Sequence, residues 1–212
     1  MKTEYHAFVD GDAGPCGAIL RHIAPRSVRT RTVFKMGEEA PVYLVDHVVE
    51  HDGDIRRWTR FAYESPTSES QHSGTRDADG TVHVDGSPAP HLSGAVGAYG
   101  EHLVLTQMLL DGADTVSYLQ FDEGAPEDGA ELAELHRRGL ETTELLDGST
   151  VDAERVQVVL AGRPTNTHWS VDGVILKSDW CGAESFLADD VDALCEGLDP
   201  DVAARIREFV RR

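Results

Sequence analysis

Four of the Asp-Gly pairs in this chain each lie between two short runs of alternating apolar and polar residues. Asp-Gly favours the tight turns that join neighbouring antiparallel strands, because both central residues of such a turn take positive φ angles. Alternation with a period of two is the pattern of a strand that buries one face. The repetition of this arrangement predicts a series of hairpins, and it limits the chain to a fold that is mainly β.

The predicted hairpins cover much of the sequence. The clearest one joins residues 42–50 to 55–63 around Asp52-Gly53. The remaining hairpins pair residues 70–76 with 81–84, 142–146 with 154–160, and 167–171 with 174–178. Further strands are predicted at 3–9, 27–34 and 115–121, with a turn over residues 11–15.

A change of spacing predicts a helix in the middle of the chain, between residues 93 and 110. Apolar or partly apolar residues recur there every three to four positions, and Gly112 follows as a helix stop. The C-terminal segments 191–198 and 201–210 are also predicted to be helical. Asp199 stands in the N-cap position of the second segment, and Pro200 occupies its first helical position.

Two other segments are predicted to leave the sheet. Residues 16–23 have an apolar face and end before Pro25, so we expect a short helix there. Residues 126–139 are polar, and we expect a helical or loop insertion. The fold class that follows is α+β and mainly β: a single curved antiparallel sheet, half-barrel or barrel-like, with one helix across its concave side and further helices at the C-terminus.

Composition and charge restrict the partners. The 212 residues are 40% hydrophobic, which suffices for one domain over residues 1–212 with a real core. A formal charge of −19 repels nucleic acid and anionic membranes, so neither is an expected partner. The three cysteines form no C-x-x-C pair, and the first residues are polar where a signal peptide would be apolar. We therefore expect a cytoplasmic protein.

The layout of the second half resembles the LolA-like half-barrel superfamily of lipoprotein-localisation factors. The resemblance covers about residues 95–186: a short helix, a strand after Gly112-Ala113-Asp114, the segment 146–156, and then 168–177. It implies a curved sheet that helices close on one side. Such a sheet leaves a concave apolar space for a small molecule or an acyl chain. The transport activity of that superfamily is not carried over.

The segment His47-Val48-Val49-Glu50-His51 matches the letters of a zinc protease motif that functions on a helix. On a strand, alternation sends Glu50 to the face opposite the two histidines, so no metal site is expected. Asp46 and His47 are more informative, because one of them must face a buried surface in mid-strand. Arg60 and Tyr63 on the next strand are near enough to pair with them. A structural ion pair is favoured over a catalytic dyad, and which residue faces inward stays open.

Tyr99 and His102 are three residues apart on the predicted central helix, so they share the face that lies over the sheet. A histidine in that position is suited to proton transfer near neutral pH, or it is a hydrogen-bonded core residue. The ring-bearing residues His168, Trp169 and Trp180 lie at one end of the last hairpin. They form either a pocket wall or a plug beneath the C-terminal helix.

These residues lead to two hypotheses about function. The first is a cofactor-independent enzyme that performs acid–base chemistry, as an isomerase, cyclase, dehydratase or hydrolase, on a small and largely apolar molecule. Its candidate catalytic residues are Asp46, His47, Tyr99 and His102, and its candidate substrate-binding residues are Trp58, Arg60, Tyr63, His168, Trp169 and Trp180. No cofactor is expected, because the sequence lacks a nucleophile elbow, a phosphate loop and a dinucleotide fingerprint. The second hypothesis is a non-catalytic carrier of a lipid-like ligand, and homodimerisation is left open.

Overall fold

The computed structural model describes residues 2–11 and 14–211. Within these residues, fifteen strands form one sheet, in the order β8-β7-β6-β5-β4-β3-β2-β1-β15-β14-β13-β12-β11-β10-β9. Strands from both halves of the chain therefore share one sheet. The strands are β1 (Lys2–Val9), β2 (Pro15–Ala24), β3 (Ser27–Phe34), β4 (Tyr43–His51), β5 (Trp58–Ser65), β6 (Ser70–Arg76), β7 (Val82–Val84), β8 (Ser87–Pro88), β9 (Ala95–Gly97), β10 (Thr115–Phe121), β11 (Ala130–Glu144), β12 (Thr150–Leu160), β13 (Arg163–Val171), β14 (Val174–Asp179) and β15 (Glu184–Ala188). The helices are α1 (Glu101–Asp111), α2 (Val191–Leu194) and α3 (Pro200–Val210).

The two edges of the sheet lie close together, which makes the sheet curve like a barrel. Strands β8 and β9 are the edge strands, and they are separated in sequence only by residues 89–94. A segment of this length spans at most ~25 Å, and the two edges are therefore near each other. Trp58 Nε1 and Arg76 Nη2 each donate a hydrogen bond of 2.8 Å to the carbonyl of Ala95. These two side chains connect β5 and β6 to β9 across the opening.

The prediction of a curved, mainly antiparallel sheet with a helix on its concave side is confirmed. Neighbouring strands pair antiparallel, except for β9 and β10, which are parallel, so the sheet is mixed. Each predicted hairpin forms, with the register His47↔Tyr63 in the first of them. The sequence also predicts a turn over residues 11–15. Two of its residues, Asp12 and Ala13, lie outside the described residues.

Apolar side chains cover both faces of the sheet near its middle. On the concave face, Val45, Val49 and Phe61 pack with Leu105 and Met108 of α1. On the convex face, α2 and α3 cover the outer side chains of β1 to β4. The residues of this second core include Ala18, Leu20, Val33, Ile206 and Phe209. Asp199 caps α3 by accepting a hydrogen bond from the backbone N–H of Asp201, as its sequence position predicts.

The predicted helix at residues 16–23 is wrong, because this segment belongs to strand β2. Ala18 and Leu20 face the convex core, whereas Ile19 and Ile23 face the concave side. A strand that is buried on both faces has no polar alternation, so its sequence cannot be distinguished from a buried helix by periodicity. Pairing with β1 on one side and β3 on the other determines the strand conformation.

The helical or loop insertion predicted at residues 126–139 is also wrong for most of its length. From residue 130 onward the segment belongs to the long strand β11. Its Glu, Leu and Ala residues favour helices, but pairing with β10 and β12 overrides that preference. Ala133 and Leu135 are fully buried, whereas Leu140 is 79% exposed. Gly139 has a φ of 88° and coincides with a register shift, where the strand pairing is irregular.

Helix α1 begins later than the spacing predicted. A short 3-10 turn over Ala98–Gly100 precedes it, and its buried residues are Glu101, Val104, Leu105, Met108 and Leu109. Leu110, which the spacing placed on the inner face, is 69% exposed. In the described part of the chain, no helix is both long enough and apolar enough to cross a membrane.

The convex core gives a test of how α3 is attached. Phe209 is fully buried against the sheet, beside the His22 ring at 4.4 Å and the Arg29 guanidinium at 5.1 Å. Because a buried Phe→Ala change costs about 3–5 kcal/mol, Phe209→Ala should lower the free energy of unfolding by that amount in urea titrations. The control Leu140→Ala, at an exposed position, should change it by about 0.5 kcal/mol or less. Equal effects would contradict this packing of α3.

Candidate functional site

A cavity of about 540 Å³ lies between the concave face of the sheet and the first residues of α1. Its volume is in the range of sites that hold small organic ligands, roughly 300–1,000 Å³. Most of the cavity surface is apolar. The apolar and aromatic lining residues are Phe8, Ile19, Phe34, Tyr43, Ala98, Tyr99, Leu160, Ile175 and Trp180.

Strand alternation places a row of polar groups from β1, β2 and β3 at one end of this cavity, called here the polar end. Glu4, His6 and Phe8 follow one another on the concave face of β1, because successive side chains of a strand point to opposite faces. Glu4 is directly opposite Arg21 on β2, and Arg21 is opposite Thr30 on β3. The polar end is therefore a row of side chains across three neighbouring strands.

The first residues of α1 bring a histidine to this row. His102 Nε2 lies 2.8 Å from Glu4 Oε2, and Lys2 Nζ lies 2.6 Å from Glu4 Oε1. Burial opposes ionisation of Glu4, but the contacts with His102 and Lys2 hold its pKa well below its usual range. Burial, together with the charge of Arg21, lowers the pKa of His102 to about 4. At neutral pH the pair is a carboxylate beside a neutral imidazole.

Because Nε2 of His102 faces the carboxylate, the proton of the neutral ring belongs on Nε2. Its lone pair is then on Nδ1, for which the residues described supply no hydrogen-bond partner. Tyr99, one turn earlier, stays a neutral phenol, because burial and then the neighbouring Tyr43 and Tyr63 raise its pKa. The site thus combines one basic nitrogen with one weakly acidic hydroxyl.

A second glutamate–histidine contact joins α1 to β13. Glu101 Oε1 accepts hydrogen bonds from His168 Nε2 at 3.2 Å and from Asn166 Nδ2 at 3.1 Å, and Oε2 accepts from Gln120 Nε2 at 3.3 Å. Burial raises the pKa of Glu101, but these donors outweigh it and lower the pKa overall. His168 Nδ1 also contacts Ser178 Oγ at 2.8 Å. With both ring nitrogens engaged, His168 holds Glu101 in place and has no free nitrogen for a ligand.

A third contact of this kind lies behind the cavity. His47 Nε2 is 3.1 Å from Glu123 Oε1, and Glu123 also accepts from the backbone N–H of Tyr99. The His47 ring stacks on the Tyr99 ring at 4.7 Å. Gly97 is needed here, because a Cβ at that position would lie 1.9 Å from Glu123 Oε1. Glu123 thereby fixes the start of the segment that leads into α1.

Two polar side chains at the polar end have no hydrogen-bond partner among the described residues, although His6 Nε2 lies 4.0 Å from Glu4 Oε2. His6 is 2% exposed, and neither of its ring nitrogens has a hydrogen-bond partner. Arg21 is 7% exposed, and its guanidinium makes no hydrogen bond or ion pair with another described side chain. Both residues line the cavity. A buried polar group without a partner is costly, so both groups are available to a molecule in the cavity.

The structure brings together part of the set of site residues predicted from sequence. Tyr99, His102, His168 and Trp180 line the cavity. Tyr63 lies behind Tyr99, with ring centroids 6.0 Å apart. His47, not Asp46, is the residue of β4 that faces inward, which answers the question that the sequence left open.

The other predicted residues lie away from the cavity. Asp46 is on the convex face and forms an ion pair with Arg31 at 2.5 Å, not with Arg60 of the next strand. Trp58 is buried in the concave core, and Arg60 is exposed. The Trp169 ring lies under Lys177 Nζ at 5.4 Å, on the face opposite His168.

Sequence analysis did not single out Glu4, His6, Arg21, Glu101 or Glu123. The signal for the first two was available, because Glu4 and His6 alternate with apolar residues in a predicted strand. Arg21 was hidden by the incorrect helix at 16–23. Glu101 and Glu123 could not be predicted, because their partners lie in distant parts of the chain. Within residues 2–11 and 14–211, no group of three or more His, Cys, Asp or Glu side chains is arranged to hold a metal ion.

Comparison with known proteins identifies the fold type alone. No family model and no curated protein matches the chain. It is similar to a solved β-barrel-like protein of the domain of unknown function DUF1849 from Brucella abortus, with a TM-score of 0.52 and 12% identity over 88% of this chain and 95% of that one. A DUF1089 family protein from Pseudomonas aeruginosa superposes with a TM-score of 0.44 and 18% identity, over 76% and 87% of the two chains. The first similarity supports a curved, barrel-like sheet.

The low pKa of His102 gives a prediction about stability and pH. The folded protein binds fewer protons at His102 than the unfolded chain does, so stability should fall as the pH drops from 6.5 towards 4. Between pH 7 and pH 5 this histidine should account for a loss of about 2 kcal/mol in the free energy of unfolding. His102→Gln should remove that part of the acid sensitivity in urea titrations. Gln107→Ala, at a more exposed position on the same helix, should retain it, and an unchanged pH dependence in His102→Gln would contradict this account.

Proposed function

We propose that the protein is a cofactor-independent enzyme, which performs acid–base chemistry on a small and largely apolar molecule bound in the cavity. The observation that carries the proposal is the Glu4–His102 pair at the boundary of an apolar cavity. A neutral imidazole that is held by a buried carboxylate can accept a proton, and the carboxylate then stabilises the imidazolium that forms.

The named residues have distinct roles in this proposal. His102 Nδ1 accepts a proton from the substrate, and Glu4 orients the ring and balances its positive charge. Arg21 stabilises the negative charge that develops on a substrate oxygen when the proton leaves, because a desolvated cation is effective at that task. Tyr99 remains protonated and can donate a hydrogen bond to the same substrate.

The environment of the pair supports this assignment. The apolar part of the lining lowers the local polarity, and charge interactions are stronger in such surroundings than in water. The pKa of about 4 leaves the lone pair of His102 free at neutral pH, although it also makes the ring a weaker base than an ordinary imidazole. His168 is a positioning residue, since both of its nitrogens are occupied and it acts on the site through Glu101.

The resemblance of the second half to LolA-like half-barrels belongs to this proposal as well. It suggests a concave site for an apolar ligand, and it leaves a carrier without chemistry as the competing function. The proposed setting is the cytoplasm, where the thiols of Cys16, Cys181 and Cys195 would stay reduced. A small molecule is the proposed partner, and nucleic acid and membranes are not.

Enzyme and carrier are separated by following small molecules in a metabolite extract. The purified protein is incubated with the extract, and mass spectrometry records which compounds are consumed and which are retained on the protein. The enzyme proposal predicts that wild type consumes at least one compound and that His102→Gln and Glu4→Gln slow this consumption by about 100-fold or more, as expected for loss of a general base.

The control for this assay is His83→Gln, because His83 pairs with Asp77 outside the cavity. It should consume the same compound at the wild-type rate. Retention of a compound without consumption would support the carrier function and contradict the enzyme proposal. Consumption that is unchanged in His102→Gln would remove His102 from the proposed role.

A further inference from the structure

We propose that the molecule bound in the cavity is an apolar monocarboxylic acid, whose carboxylate rests on Arg21 and His6 at the polar end. This inference rests on the proposed function in one respect, namely that the cavity is the substrate site. It goes further in naming the chemical class of the substrate.

The first argument is the state of Arg21. Its guanidinium is buried in the middle of β2, between Glu4 on β1 and Thr30 on β3, without a hydrogen bond or ion pair to another described side chain. Burying a guanidinium is costly unless its donors are satisfied. Arginine presents five N–H donors in a planar fork that matches the two oxygens of a carboxylate. Glu4 and Glu101 are near enough to act on its charge, but neither forms a hydrogen bond with it, so its donors are free for a bound anion.

The second argument is that the neighbouring carboxylates already have other partners. Glu4 contacts Lys2 through one oxygen and His102 through the other. Glu101 accepts hydrogen bonds from three side chains, which use both of its oxygens. Burial lowers the pKa of Arg21, although the neighbouring carboxylates of Glu4 and Glu101 act in the opposite direction. The guanidinium stays charged and has donors to offer.

The third argument is His6, an independent group at the same end of the cavity. It is 2% exposed, it lines the cavity, and both of its ring nitrogens lack hydrogen-bond partners among the described residues. His6 is opposite Ile19 on β2, and Arg21 is two positions further along that strand on the same face. The two side chains are diagonal neighbours, so one ligand group can accept from both.

The charges and walls of the cavity select among anions. Glu4 and Glu101 lie near Arg21, so a dianion such as a phosphate monoester would meet more repulsion than a carboxylate with one charge. Beyond the polar end, Phe8, Phe34 and Leu160 offer apolar surface to the rest of the ligand. A carboxylate joined to an apolar chain or ring complements both ends of the cavity.

Isothermal titration calorimetry with three probes that share one chain tests the proposal: decanoate, decan-1-ol and decyl phosphate, each below its aggregation concentration. For wild type we expect decanoate to bind at least about 10-fold more tightly than the alcohol, which corresponds to about 1.4 kcal/mol, and more tightly than decyl phosphate. Equal binding of acid and alcohol, a preference for decyl phosphate, or no binding of decanoate would each overturn the proposal. This comparison needs no variant.

The variant Arg21→Met keeps a long side chain and removes the charge. It should weaken decanoate binding about 10-fold or more and leave decanol binding within about twofold, which also shows that the cavity is intact. Arg60→Met, a matched change at an exposed position on the same sheet, should behave like wild type. Loss of decanoate binding in both variants, or in neither, would contradict a specific role of Arg21.

The two proposals fail in different ways. If the extract contains no consumed compound while decanoate still binds through Arg21, the enzymatic function is wrong and the ligand class stands. If wild type consumes a compound that has no carboxylate, the ligand class is wrong and the enzymatic function stands.

Discussion

Three buried contacts between a glutamate and a histidine hold the start of α1 against the concave face of the sheet, and the cavity depends on them. They join His102 to Glu4, Glu101 to His168, and Glu123 to His47, so each links parts of the chain that are distant in sequence. A carboxylate is stable in such a buried place only with donors around it. His102 donates from α1 to Glu4 on β1, while His168 on β13 and His47 on β4 donate to Glu101 and Glu123. These contacts with three strands position the helix over the sheet.

Polar side chains whose hydrogen-bonding groups are all engaged have structural roles here, and those with free hydrogen-bonding groups are the functional candidates. Glu101 and His168 have all of their hydrogen-bonding groups engaged and serve to position the helix. His6 and Arg21 make no side-chain hydrogen bond among the described residues, and His102 has one free nitrogen. Chemistry and recognition are therefore concentrated where β1, β2 and α1 meet, while the convex face is occupied by α3 and its own packing.

The sequence predicts the hairpins well, because turn residues and alternation are local signals. It predicts residues 16–23 poorly, since β2 is covered on both faces and its alternation is lost. The same error concealed Arg21, whose position on the concave face follows only from the strand. Tyr99 and His102 could be predicted from helical spacing, but their partners could not. Glu4 and His102 are 98 residues apart in sequence, and Glu123 and His47 are 76 residues apart, so only the folded sheet brings each glutamate to its histidine.

The central claim is that Glu4 holds His102 as a neutral imidazole with its proton on Nε2 and its lone pair on Nδ1. Two-dimensional NMR of ¹⁵N-labelled histidine side chains tests this directly, with the His102 signals assigned by their loss in His102→Gln. We predict a neutral ring protonated on Nε2 at pH 7, with no conversion to imidazolium down to pH 5.5. A His102 ring that is doubly protonated at pH 6.5, or one protonated on Nδ1, would contradict the account.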